Sequence, residues 1–258
     1  MKHVSSRDNP LFKQLLKLAQ SSRERKKSQQ TLIEGIHLVK TFRESVGVPK
    51  TLILSANGTQ NGEIIALTEQ CHSLTPVVLS DAMFNELSTL DSPVGVIAQI
   101  DTPIHKDIPA NLGSCVVLED IQDPGNLGSI LRSAAAADVK QVILSKACVF
   151  AWSPRVVRAA MGAHFLLEIY EQQDLFKVLS QFPGKKIATA LRAKKSLYET
   201  DLHGLTAFLI GNEGNGLSPA LLSLADEIVT IPMPGKIESM NVAAAAAICL
   251  FERVRQLQ

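Results

Sequence analysis

From residue 114 onward, short apolar runs alternate with helical stretches, and this alternation constrains the fold more than any other feature of the chain. The runs CVVLE, QVILS, FLLEIY, KKIATAL, TAFLIG and EIVTIP have strand length and an apolar core. The helices between and after them should begin near Asn126, Pro154, Asp174, Ser218 and Ser239. Apolar strands separated by helices predict an α/β fold, with a parallel sheet covered on both faces.

The front of the chain reads differently. NPLFKQLLKLAQSSRERKKSQQ is expected to form one amphipathic helix, with Leu11, Leu15 and Leu18 on a stripe and Lys13, Lys17 and the RERKK cluster off it. TLIEGIHLVKTF follows as a short strand or turn and a second helix, and TLILS, TPVVLS and GVIAQI read as buried strands. DTPIHKDIPANLGS is polar, with two prolines and a glycine, and makes the best linker. The expected organisation is a small α/β domain over 1–104, a linker over 105–113 and a larger α/β domain over 114–258.

Charge separates the same two regions. Residues 1–50 hold 11 Lys or Arg against 4 Asp or Glu, giving +7, and the remainder hold 15 against 21, giving −6. A basic front suggests a polyanion partner, although solvated helix faces would produce the same count. MKHVSSRDNPLFK has no apolar secretory core, and VAAAAAICLF is too short to span a bilayer. Cys71, Cys115, Cys148 and Cys249 are scattered without a CxxC pair, as expected for reduced cytosolic thiols and no metal site.

In open parallel sheets, ligands bind beyond the carboxyl ends of the strands. Three such loops concentrate Gly, Pro, Asn, Ser and acidic residues: DIQDPGNLGSILRSAAAAD, NEGNGLSP and MPGKIESMNVAAAA. Each could be a turn with a helix cap, from Asn126, Ser218, and Ser239 or Asn241 respectively. All three at one edge make a site the better reading. The sequence has no GxGxxG after the first of these strands and no GxxxxGK[ST], GxSxG or HExxH. The edge instead offers backbone groups, one carboxylate (Glu213), amides (Asn126, Asn241), a hydroxyl (Ser239) and the planar fork of Arg132, which suits phosphate.

DPGNLGSILRSA, LIGNEGNGL and IPMPGKIESMNVAAA resemble, in order and spacing, the three signature segments of SpoU/TrmH-type RNA 2′-O-ribose methyltransferases. The resemblance covers about residues 114–256. NPLFKQLLKL and LIEGIHLV are similar to the substrate-binding domain that precedes it in rRNA-modifying members. It implies a C-terminal trefoil knot, a homodimer, a cytoplasmic enzyme, and S-adenosylmethionine held near Leu209, Gly211, Ile231 and Met240. Methyl transfer to a ribose 2′-oxygen would depend on Arg132, either as the base or as the group that orients the ribose, with Asn126, Glu213, Ser239 and Asn241 as the other active-site positions. Arg7, Asn9, Lys13, Arg23, Arg25, Lys26 and Lys27 become candidate RNA contacts. Glu34 and Gly35 match the family's Glu-Gly pair, or simply turn the chain into a helix. Met240 stands where leucine is common, and Ala243 where serine is frequent. Large-subunit rRNA is the expected substrate. The alternatives are tRNA, or an RNA-binding protein that kept the fold without catalysis.

Overall fold

The structure is a computed structural model that describes residues 1–103 and 107–258, so the first two positions of the expected linker lie outside the described residues. The chain divides into two compact units, Met1–Ile104 with Trp152–Phe165, and His105–Ala151 with Leu166–Gln258.

The first unit contains β1 (Lys2–Val4), α1 (Pro10–Gln20), α2 (Ser22–Ser28), β2 (Gln30–Glu34), α3 (Ile36–Ser45), β3 (Thr51–Ser55), α4 (Gly62–Gln70), β4 (Val77–Leu79), α5 (Asp81–Leu87) and β5 (Val96–Asp101). Its sheet has the order β1-β4-β3-β5-β2, with β5 antiparallel to both neighbours and the remaining pairs parallel. Phe12, Leu15 and Leu18 of α1 bury against Ile53, Leu79, Phe84 and Ile97. The single front helix expected from the sequence is broken at Ser21. Its extended backbone donates to the Lys17 carbonyl, closing α1, while its hydroxyl accepts from the Glu24 N–H, opening α2. A serine that caps in both directions ends one helix and starts the next.

The second half of the sequence forms β6 (Cys115–Leu118), α6 (Pro124–Ala136), β7 (Gln141–Ser145), α7 (Pro154–Ala159), β8 (Glu168–Gln173), α8 (Leu175–Gln181), β9 (Lys185–Thr189), β10 (Lys195–Ser196), β11 (Thr206–Ile210), α9 (Pro219–Leu222), β12 (Glu227–Thr230) and α10 (Val242–Leu257). Seven strands make one sheet in the order β10-β12-β9-β11-β6-β7-β8, and every pairing is parallel. The central strand β11 is buried at all five positions. This is why its TAFLI reads as an unbroken apolar run rather than an alternating one. Parallel pairing sends the carboxyl ends of β6, β9, β11 and β12 to one edge, and α10 packs along α6. Among the described residues no helix is long and apolar enough to cross a membrane.

Two expectations shift. The FLLEIY run starts its strand late: β8 begins at Glu168, and Leu166 is exposed. The stretch Trp152–Phe165, placed by the sequence with the larger domain, belongs to the first unit. There the Thr31 hydroxyl donates to the Trp152 carbonyl at 2.8 Å, and the Phe42 and Phe165 rings meet edge-on with centroids 5.2 Å apart. Arg158 also donates to the Thr89 carbonyl at 3.1 Å.

Candidate active site

The loop after β6 is shaped by its own side chains. The Asp123 carboxylate accepts from the Asn126 N–H at 2.8 Å and Pro124 takes the first helical position, so Asp123 caps α6. Asn126 is therefore one turn inside the helix rather than its cap, which frees its amide. The loop after β11 folds back on itself: the Gly216 N–H donates to the Asn212 carbonyl at 2.9 Å. A Cβ on Gly211 would lie 2.1 Å from the Gly216 carbonyl carbon, so no larger residue fits without moving backbone.

These two loops are tied together. The Asn212 amide donates to the Asp120 carbonyl at 2.9 Å, and the Ser218 N–H donates to Glu119 at 2.7 Å. Ser218 also caps α9, as expected. The loop after β12 ends at Asn241, whose Oδ1 accepts from the N–H groups of Ala243 and Ala244 and so caps α10. Ser239 does not serve as that cap. The Asn241 cap also satisfies the N–H of Ala243, so the helix start is complete without a side-chain hydroxyl at that position.

The three loops meet in a chain of polar contacts. Asn241 Nδ2 donates to Asn126 Oδ1 at 2.8 Å, and Asn126 Nδ2 donates to Glu213 Oε1 at 2.6 Å. A carboxylate can only accept, so Glu213 fixes which way the Asn126 amide faces. Glu213 and Ser239 both line a cavity of about 510 Å³ at the carboxyl edge of the sheet. Gly211, Ile231 and Met240 line it too, together with Thr189 at the end of β9, Ala190–Arg192 after it, Asn212–Leu217 and Met233. Leu209 does not: it is fully buried in β11, and its carbonyl accepts from the Thr189 hydroxyl at 3.3 Å. Arg132 is exposed on α6, six residues beyond Asn126 or about 9 Å along the helix axis, and is not part of the cavity wall.

This cavity fits a nucleoside-sized ligand. Its volume lies within the range of small-molecule sites, and its wall is mostly backbone, glycine and apolar side chain with few charges. The segment Thr189–Arg192 is silent in the sequence because TALRAKK carries no Gly, Pro or Asn to mark it. Only the placement of β9 between β11 and β12 shows that its loop belongs here.

Residues 113–251 match the model of the SpoU rRNA methylase family, and residues 9–98 match the MRM3-like substrate-binding domain. The chain belongs to the SpoU rRNA methylase family.

A Synechocystis relative named as an uncharacterised tRNA/rRNA methyltransferase is 34% identical, the match covering 98% of this chain and 93% of that protein. The Bacillus subtilis 23S rRNA (guanosine(2553)-2′-O)-methyltransferase is 30% identical, over 97% of this chain and 98% of its own. An AdoMet-bound rRNA methyltransferase from Sinorhizobium meliloti superposes with a TM-score of 0.85 at 27% identity, covering 100% of this chain and 98% of that one.

In a SpoU-family chain the first unit is the place to look for RNA contacts, and the expected residues separate there. Arg23, Lys26 and Lys27 are exposed on α2. Arg7 pairs with Glu86 at 2.6 Å and Lys13 with Asp8 at 2.8 Å, both in solvent, where such pairs open readily. Asn9 caps α1 by accepting from the Leu11 N–H. Arg25 is buried, and its guanidinium donates to the carbonyls of Leu18 at 2.5 Å and Ala19 at 3.1 Å. Arg25 is thus a clamp on the end of α1 rather than an RNA contact. Burial alone pulls its pKa below the usual arginine value. Glu34 accepts from the Ser88 hydroxyl and from the Thr89 N–H at 3.0 Å, and Gly35 turns into α3 at φ +98. That pair holds a loop and starts a helix.

Proposed function

We propose that this chain is an S-adenosylmethionine-dependent RNA 2′-O-ribose methyltransferase that acts on large-subunit rRNA. One observation carries the reading: the Asn241–Asn126–Glu213 chain joins all three signature loops at a nucleoside-sized cavity. The family match and the named activities of the relatives support it.

Gly211, Ile231 and Met240 would hold the cofactor through backbone and apolar contacts, with Ser239 at the wall. When bound, the cofactor supplies a methyl group on a positively charged sulfonium. Asn126 presents an amide of fixed orientation, because Glu213 accepts from one of its ends and Asn241 donates to the other. Arg132 has no ion-pair partner among the described residues, which leaves its fork for an RNA phosphate. Its planar fork of donors would hold the ribose-phosphate backbone and orient the target hydroxyl toward the methyl donor.

The reading extends to a knotted C-terminal stretch, supported by likeness to the family's solved structures. It also extends to a homodimer through α10, where Phe251 is 46% exposed, and to a cytoplasmic location.

Calorimetry with S-adenosylmethionine, followed by mapping of ribose methylation in RNA from cells lacking the protein, tests the reading. Binding heat and one lost 23S rRNA methylation are expected. No heat would favour an RNA-binding protein that kept the fold, and a lost tRNA methylation would move the substrate.

A further inference from the structure

Among the residues lining the 510 Å³ cavity, the charged ones are Glu213 and Arg192. Glu213 is committed to Asn126. Arg192 follows β9, is exposed, and has no ion-pair partner among the described residues. It also lines an adjoining cavity of about 370 Å³, with Leu191, Thr230, Ile231, Pro232, Met233, Ile237 and Glu238. None of these neighbours comes from the β11 loop. Arg192 therefore stands where the two spaces meet, with Glu238 as the one carboxylate lining the second.

The proposed cofactor is not uniform in charge. Its nucleoside is neutral, and its tail ends in an α-carboxylate. Backbone groups, hydroxyls and amides of the wall can grip the nucleoside and the α-ammonium, but among the described residues Arg192 is the one cationic side chain lining the cavity to match that carboxylate. A guanidinium offers a planar, charge-assisted pair of donors. Resting on the function proposed above, we propose that Arg192 binds the tail carboxylate, so that the site selects the intact cofactor over its nucleoside.

The test compares two probes by calorimetry: S-adenosylhomocysteine, which has the tail carboxylate, and 5′-methylthioadenosine, which lacks it. Arg192→Gln should weaken the first about tenfold, the loss of one charge-assisted interaction, and leave the second within about twofold. Arg192→Lys should recover part of the loss. Arg192 is exposed and forms no ion pair among the described residues, so both variants should melt with the parent protein.

Equal weakening of both probes, or of neither, overturns the assignment. So does unchanged S-adenosylhomocysteine affinity with weakened RNA binding, which would make Arg192 a phosphate contact. Wild-type protein that binds neither probe would sink the cofactor reading itself, and this inference with it.

Discussion

In the second unit every strand runs the same way, so the loops after β6, β9, β11 and β12 leave from one edge. In the first, β5 runs against both of its neighbours, and the connections are shared between two edges. Both sheets bury comparable apolar strands, and the parallel one gathers its loops around a ligand-sized space. In the mixed unit the exposed Arg23, Lys26 and Lys27 lie along α2. In this protein the parallel arrangement brings loops together around a small-molecule space, whereas the exposed basic residues of the mixed unit lie along a helix.

The sharpest way to break that contrast is to remove the proposed chemistry from the parallel unit. Arg132→Ala should lower methyl transfer by at least about 100-fold while cofactor affinity, measured by calorimetry, stays within about twofold. Wild-type turnover would return Arg132 to an ordinary surface residue.

Matched glycine substitutions come next. A Cβ on Gly211 would meet the Gly216 backbone at 2.1 Å, and one on Gly58 would meet the Gly95 carbonyl oxygen at 2.4 Å. Gly211→Ala and Gly58→Ala should each cost roughly 2–3 kcal/mol through overpacking, seen as a lowered melting transition. Only Gly211→Ala should also abolish cofactor binding. Equal loss in both variants would mean that the units do not divide the work.

On the basic face, replacing Arg23, Lys26 and Lys27 with Glu should weaken RNA binding about tenfold at low salt and flatten its salt dependence. Arg25→Ala should leave that slope intact and destabilise the first unit by about 1–3 kcal/mol, because two carbonyls at the end of α1 lose their donor. An altered slope in Arg25→Ala would put that residue back among the RNA contacts.

The smallest contrast is in the thiols. Burial pushes Cys115 and Cys249 of the second unit from 9.0 up to about 12. Each stays neutral in the fold but can ionise once unfolded. Their contribution is therefore complete below pH 9.0 and lost as pH rises toward 12. Iodoacetamide at about pH 8, below the ordinary thiol pKa, should leave both unlabelled in the native protein, and modification of either would contradict that burial.

The parallel sheet was legible in the sequence because its central strands β6 and β11 are short runs, apolar almost throughout and buried at every position, repeated between helical stretches. The elements β1, β10, α4 and α5 were not, being too short or too mixed in composition to stand out. Three loops of the site were legible through Gly, Pro and Asn. The fourth, Thr189–Arg192, was not, since its place follows from strand order rather than from composition. Asn126 reads as a cap because Asn often is one, whereas the adjacent Asp123-Pro124 pair is the stronger start signal. Arg25 misleads for a different reason. Charge counting treats every arginine as solvated, and only packing shows one turned inward.

The stretch Trp152–Phe165 has a consequence for how the gene can be divided. The polypeptide passes between its units three times, so a protease cut near residue 103 releases neither one whole. The N-terminal fragment would leave behind the carbonyl that the Thr31 hydroxyl needs. Exchanging the first unit between relatives, by recombination or by design, must therefore move two separate coding stretches together.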